Sequence, residues 1–332
     1  MKKYNVAIIG ATGLVGESLI SILQERKFPV NKLYPLASKR SLGLKVKFNS
    51  DDIGVMDLDE FNFDGIDFCF FSAGSKVSDR YAPIAANAGA IVIDNTSRYR
   101  YEDDIPLVVP EVNPSFLKNY KNRNIIANPN CSTIQLMVVL APIHFHTPIK
   151  RINIATYQSI SGAGRSAVDS LDSQLVSSNY PGEDNTPNFA HNVIPQIGDF
   201  QNNGYTLEEM KLVWETKKIL GSDNIKVNAT AVRVPVRVGH AEAVTIETET
   251  ELRLSLIKDL LKKAPNVELF DDETYPISII HGDGTDQVFV GRLRKDLSDR
   301  KSINLWIVAD NIRKGAALNS IQIAETIIKS DF

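Results

Sequence analysis

Apolar positions in the first 130 or so residues fall in short runs separated by stretches of helical period. Tyr4 to Ile9 reads as an apolar run, the pattern of a strand buried on both faces. Leu14 to Glu25 has helical spacing, with Leu14, Leu19, Ile22 and Leu23 on one side. Further strands are expected at Leu33–Ala37, Asp67–Ala73 and Ala90–Asn95, with a helix at Lys76–Asn87. This βαβ rhythm predicts an α/β domain with a doubly wound, Rossmann-type parallel sheet. From about Ile149 the texture changes. Longer strand-like segments run over Lys150–Ile160, Lys226–Val238, Ala241–Glu249, Val288–Leu293 and Ser302–Ala309. Helices are expected at Arg165–Val176 and Leu252–Lys263. This part reads as an α+β domain on a mixed, largely antiparallel sheet. Ser177–Pro195 is rich in Asn, Pro, Gly and Asp and is expected to be a surface loop. Asn311–Lys329 has the pattern of an amphipathic helix.

Composition narrows the classes. A chain of 332 residues can hold two domains of ordinary size. Its 37 Lys and Arg against 40 Asp and Glu leave a net charge of −3, which gives no electrostatic argument for nucleic acid or an anionic membrane. The apolar run after the basic start is too short for a signal peptide and leads into a glycine-rich turn. No run approaches the roughly 18 apolar residues of a membrane span. Two cysteines, Cys69 and Cys131, make no disulfide framework, and a reducing cytoplasm is the simplest setting. No metal site is expected.

Gly10-Ala-Thr-Gly13-Leu-Val-Gly16 follows a buried strand and opens a helix. Glycines there permit a tight turn and close approach of backbone to pyrophosphate, whose charge the helix N-terminus favours. An ordinary strand–turn–helix connection is the alternative. An NAD site would want an acidic residue near the end of the second strand, and Leu36-Ala-Ser38-Lys-Arg40-Ser41 has none. Ser38, Arg40 and Ser41 could instead hold a 2′-phosphate, which favours NADP. A solvated basic loop would look the same.

Asn128-Pro-Asn-Cys131-Ser-Thr133 precedes another helical pattern, with Ile134, Met137, Val138, Leu140 and Ala141 apolar. Cys131 then lies at a helix start, where the dipole favours thiolate and open backbone N–H groups could hold an oxyanion. A buried structural thiol fits this spacing about as well. Cys69, inside a strand, is of that inert kind. Arg233-Val-Pro-Val-Arg237-Val-Gly-His240 alternates Val with Arg, so both arginines are expected on one face of an extended strand. Such a face, ending in Gly-His, suits an anionic substrate and a base, although Pro235 also fits a solvated edge strand.

Together these stretches resemble the aspartate-semialdehyde dehydrogenase family over nearly the whole chain. The resemblance adds Tyr157-Gln-Ser-Ile-Ser-Gly-Ala-Gly164, Glu208-Glu-Met-Lys211 and Asp310-Asn-Ile-Arg-Lys-Gly-Ala316 to those above. It implies Cys131 as the nucleophile of an acyl-enzyme, His240 as general acid/base and Gln158 as the group that orients the substrate. It implies Arg233 on the substrate α-carboxylate, Glu208 on the α-ammonium, and Arg98 with Lys211 on phosphate. Gly10, Thr12, Gly13, Leu14, Val15, Gly16, Arg40, Ser41, Ser161, Gly162 and Asn311 would contact NADP. The nucleotide domain would be 1–130 with a returning 311–332, and the catalytic and dimerisation domain 131–310. The implied reaction is NADPH-dependent reduction of L-4-aspartyl phosphate to L-aspartate 4-semialdehyde with release of inorganic phosphate. The implied assembly is a homodimer or a dimer of dimers. A reductase for N-acetylglutamyl phosphate would share this fold and thioester chemistry, but its substrate has no free ammonium for Glu208.

Overall fold

The structure is a computed structural model that describes residues 2–176 and 188–330. The first part of the loop expected over Ser177–Pro195, residues 177–187, lies outside the described residues. The chain divides into two compact units, Met1–Asn130 with Ala316–Phe332, and Cys131–Gly315.

The first unit opens with β1 (Tyr4–Ile9), α1 (Leu14–Glu25) and β2 (Val30–Ala37). A hairpin of β3 (Lys45–Phe48) and β4 (Asp51–Gly54) precedes β5 (Met56–Asp57), β6 (Phe68–Phe71) and α2 (Ser75–Asn87). Then come β7 (Ile91–Asp94) and β8 (Ile125–Ala127). The sheet order is β5-β2-β1-β6-β7-β8, with every pairing parallel. Its central strands are buried on both faces, and the run Phe68-Cys-Phe-Phe71 is buried throughout. That is why they read as continuous apolar runs. The helix Leu318–Lys329 sends Leu318, Ile321, Ala324 and Ile327 into the same core as Leu19, Ile22 and Leu23 of α1. Arg26 donates to both carboxylate oxygens of Glu325 at 2.8 and 2.6 Å, tying the chain's end to its beginning.

The second unit contains α3 (Cys131–His146), β9 (Ile149–Gln158), α4 (Arg165–Val176), α5 (Leu207–Leu220), β10 (Lys226–Arg233) and β11 (His240–Thr248). It continues with α6 (Leu254–Lys263), β12 (Val267–Leu269), β13 (Val288–Lys295) and β14 (Ser302–Ala309). The sheet order is β10-β9-β11-β14-β13-β12. The inner three pairings are antiparallel and the two outer ones parallel. On β9, Ile152, Ile154, Thr156 and Gln158 point inward while Asn153 and Tyr157 are exposed. α3 covers this inner face and is buried from Ser132 to Ala141, as expected of a helix that is apolar on nearly all sides.

Two expectations are corrected. β10 ends at Arg233, so Arg233 and Arg237 do not share a strand face. Pro235 cannot donate to a ladder, and the Val236 N–H turns back onto the Val234 carbonyl at 2.8 Å. Gly239 then takes a φ of +91° that an extended strand does not use. Arg233 is buried, whereas Arg237 is exposed and paired with Asp172 at 2.6 Å. The second correction concerns the helix expected from Asn311. Asp310 accepts from the Ile312 and Arg313 N–H groups at 2.7 and 2.8 Å. Its carbonyl accepts from Gly315 at 2.9 Å, a π-type turn over Arg313–Ala317, and the α-helix starts only at Leu318.

Candidate active site

The first unit presents a cleft of about 570 Å³ at the carboxyl ends of β1, β2 and β6. β2 and β6 flank β1 on opposite sides, so the connections diverge here, the usual place for a dinucleotide. Gly10 turns with φ +87°, and a Cβ on it would lie 2.9 Å from Ser72 Oγ. A Cβ on Gly16 would fall 2.2 Å from the Gly10 carbonyl, so α1 can lie this close to β1 only with glycine there. No side chain caps α1 at Gly13, which leaves its first turn to an anion. Thr12 Oγ1 and Ser41 Oγ stand 3.3 Å apart across the cleft mouth, while Ser38 and Arg40 are exposed beside it. These features fit a nicotinamide dinucleotide. One further group at this cleft is not evident from the order of residues. Register pairs Asp57 of β5 with Ala37 of β2, so an acidic residue does stand at the second strand's end. Asp57 Oδ2 lies 3.7 Å from Lys39 Nζ and has no hydrogen-bond partner.

The second unit gathers the remaining chemistry. Parallel pairing sets Arg233 of β10 beside Gln158 of β9. Antiparallel pairing of Ala241 with Tyr157 brings His240 beside Gln158 from the other side. Three adjacent strand ends thus carry Arg233, Gln158 and His240 on one inner face. Cys131 begins the helix that covers that face, close enough that a thiolate there would raise the basicity of Arg233. From α5, Glu208 accepts from Gln158 Nε2 at 3.0 Å and from Lys211 Nζ at 2.8 Å. Glu208 is 6 % exposed, which removes the reading of this pair as a solvated surface contact. A capping box places it. Thr206 Oγ1 accepts from the Glu209 N–H, and Glu209 accepts from the Thr206 N–H at 2.7 Å and from Ala231 of β10 at 3.0 Å.

Arg233 donates through Nη1 to the Ser159 carbonyl at 2.7 Å. Burial draws its basicity down, with Glu208 and Cys131 pulling it back up. His240 is fully buried, and burial, then the Arg233 charge, push its pKa down to about 3, with Glu208 opposing. The ring is therefore neutral at ordinary pH. Two residues on, Glu242 is also fully buried, and burial raises its carboxyl well above the usual range. Gln135, the polar side chain facing it, offsets this only in part. Ser161 and Asn311 are buried and bonded to each other at 3.0 Å. Gly162 packs so tightly that a Cβ would lie 3.0 Å from Arg233 Nη1 and 3.3 Å from His240 Nε2. In the first unit, Arg98 lies over the Tyr99 ring and pairs with Asp79 and Glu102. Among the described residues, no group of three His, Cys, Asp or Glu could hold a metal ion, and no helix is long and apolar enough to cross a membrane.

The π-type turn has a role here that no strand or helix pattern announces. A Cβ on Gly315 would sit 2.8 Å from the Cys131 Cβ and 3.3 Å from its Cα. Gly315→Ala is expected to displace the thiol and lower kcat by roughly 10²-fold, the penalty typical of about 1 Å of misplacement. Steady-state kinetics beside a melting curve checks this, because unchanged kcat in a folded variant would show that the seat is not needed.

Residues 5–120 match the family described as semialdehyde dehydrogenase, NAD binding domain, and residues 140–314 its dimerisation domain. The aspartate-semialdehyde dehydrogenase of Shewanella violacea is 53% identical over 99% of this chain and 98% of its own. The chain belongs to the aspartate-semialdehyde dehydrogenase family. Within that family, aspartate semialdehyde dehydrogenase II of Vibrio cholerae, solved in complex with ASA, is 50% identical with a TM-score of 0.97 over 100% of both chains. The Candida albicans aspartate semialdehyde dehydrogenase, solved with NADP, is 27% identical with a TM-score of 0.77, over 98% of this chain and 99% of that one.

Proposed function

We propose that the chain interconverts L-4-aspartyl phosphate and L-aspartate 4-semialdehyde, with NADP(H) and inorganic phosphate, through a thioester on Cys131. The observation that carries this reading is the meeting of Arg233, Gln158 and His240 on three adjacent strand ends beneath the Cys131 helix. L-4-Aspartyl phosphate carries a carboxylate, an ammonium and a phosphate. Arg233 complements the first, Glu208 the second, and Arg98 with Lys211 the third. Arg98 follows the carboxyl end of β7, where open α/β sheets place ligands. Gly10, Thr12, Gly13, Leu14, Val15, Gly16, Ser38, Arg40, Ser41, Ser161, Gly162 and Asn311 hold the dinucleotide, and the nicotinamide, when bound, supplies or accepts the hydride. Asp57 gives a second reading some weight, because a carboxylate at that point suits the ribose hydroxyls of NAD.

In the phosphorylating direction, the Cys131 thiolate adds to the aldehyde carbon and the carbonyl pair moves to oxygen. Gln158, held by Glu208, keeps that carbon against the sulfur. After oxidation the acyl group remains on Cys131 until phosphate attacks and the thiolate leaves. Cysteine suits both steps, since it attacks and departs as thiolate. The working protein is a homodimer through residues 131–310, or a dimer of dimers, in the cytoplasm, where it feeds amino-acid biosynthesis from aspartate towards lysine, methionine and threonine.

Incubation with aspartate semialdehyde and NADP, with or without phosphate, tests this. Reduced nicotinamide should form only with phosphate present, and more slowly when NAD replaces NADP. Phosphate-independent turnover, or preference for N-acetylglutamate semialdehyde, would overturn the proposal.

A further inference from the structure

Helix α3 must present Cys131 to the strand ends in one rotation, yet its apolar surface does not choose one. It packs against β9, β11, β13 and β14 of the sheet and against α5 and α6. From Leu136 to Ala141 every residue is apolar and buried. Such a helix has no polar side to mark which face belongs to the sheet, and a turn about its axis trades one apolar contact for another. The sheet half of the site is fixed by its own bonds. Gln158 donates to Glu208 at 3.0 Å, and the Ser159 N–H donates to His240 Nδ1 at 3.0 Å. The helix half needs a fixing group of its own.

Gln135 and Glu242 stand where such a group is needed. Gln135 lies about one turn along α3 from Cys131, so the two share a side of the helix. Glu242 lies two residues along β11 from His240, so these share the inner face of the sheet. Gln135 and Glu242 are both 0 % exposed, and the carboxamide faces the carboxyl. Cys131 and the strand-end residues form one rung of the helix-on-sheet contact, and Gln135 with Glu242 forms the next. The strand neighbours of Glu242 are Thr156 on β9 and Ile307 on β14. Thr156 gives its hydroxyl proton to Gln158 Oε1 at 3.1 Å, and Ile307 has no polar group to offer. Burial raises the Glu242 carboxyl well above the usual range, so it keeps its proton at neutral pH. An acid and an amide each offer one donor and one acceptor on the same edge, which makes them complementary in one relative orientation.

We propose that Glu242 and Gln135 are positioning residues, whose pairing sets the rotation of α3 on the sheet and through it the seat of Cys131 against Arg233, Gln158 and His240. The proposal rests on the thioester reading, in which Cys131 is the nucleophile. A buried polar pair adds little stability, because apolar residues of similar size would pack there at least as well. What it does add is a choice of one register among several apolar alternatives.

Three variants test this, read by melting curve, by kcat and by the rate at which iodoacetamide alkylates Cys131 near neutral pH. In Gln135→Leu/Glu242→Leu the melting point should equal or exceed that of the unaltered protein. Its kcat should nevertheless fall roughly 10–10²-fold, the range for a nucleophile displaced by up to about 1 Å. Gln135→Met changes shape least, so it folds even where the leucine pair does not, and it should show the same loss. Exchanging the two groups, as Gln135→Glu/Glu242→Gln, restores the acid–amide pair and should keep kcat near that of the unaltered protein. Alkylation should slow at least about threefold in the first two variants, as the thiol moves from Arg233, and not in the exchanged pair. Unchanged kcat and alkylation in Gln135→Met or in the leucine pair, or an exchanged pair as slow as these, would overturn the proposal. Alkylation reads the thiol without turnover, so it stands apart from the thioester reading, which fails instead if Cys131→Ala remains active.

Discussion

Cys131→Ala is expected to abolish turnover, with a loss of at least about 10⁴-fold in kcat, because no other group can carry the acyl unit between the two half-reactions. Dinucleotide binding should be nearly unchanged, since Cys131 opens the second unit and the cleft that fits the cofactor lies in the first. The two cysteines supply an internal comparison. Cys69 lies in β6 with no exposure, and burial pushes its thiol pKa far up. Cys131 is partly exposed at a helix start beside Arg233. Iodoacetamide near neutral pH should therefore label Cys131 and inactivate the protein while leaving Cys69 unmodified. Full activity after complete alkylation of Cys131, or in the alanine variant, would remove it from the mechanism.

Arg233→Leu should act chiefly on KM. A guanidinium that grips a carboxylate through two charge-assisted hydrogen bonds contributes about 1.5–3 kcal/mol for each. Losing both raises KM for the semialdehyde by roughly 10²–10⁴-fold at 1.4 kcal/mol per decade. kcat should fall less, because Gln158 keeps its hold on Glu208 and His240 keeps its bond from Ser159. It should not be untouched, since Arg233 also braces the Ser159 carbonyl. Arg233→Lys, which keeps the charge but not the fork, should fall between the two. An unchanged KM in the leucine variant would show that the carboxylate binds elsewhere.

The parallel sheet and the mixed sheet were legible because each buries its strands in its own way. Phe68–Phe71 is apolar throughout, whereas β9 alternates. Helices α1 and α4 were legible to the residue from their spacing. What the pattern misread were segments governed by single residues. Alternating valines carried the expected strand past Arg233, yet Pro235 and Gly239 end it, and the two arginines separate. Helical spacing likewise ran from Asn311 through a turn that Asp310 widens by one residue. At the cofactor cleft, Asp57 was invisible because strand neighbours cannot be read from sequence order. Ser159 and Gly315 lay inside noticed stretches but had no chemistry to single them out. Their importance comes from a backbone N–H and from a missing Cβ, and residue type advertises neither.

The site's dependence on register has a consequence for how the protein fails. Arg233, Gln158 and His240 are neighbours only because β10, β9 and β11 pair as they do. A slip of one residue would turn all of a strand's side chains to the opposite face. Loosening of the sheet therefore yields no partly competent catalyst, because the constellation has no existence apart from the ladder. Thermal inactivation and loss of the unit's β-structure are therefore expected to coincide when activity and circular dichroism are followed on heating, with residual activity counting intact molecules rather than measuring the health of each.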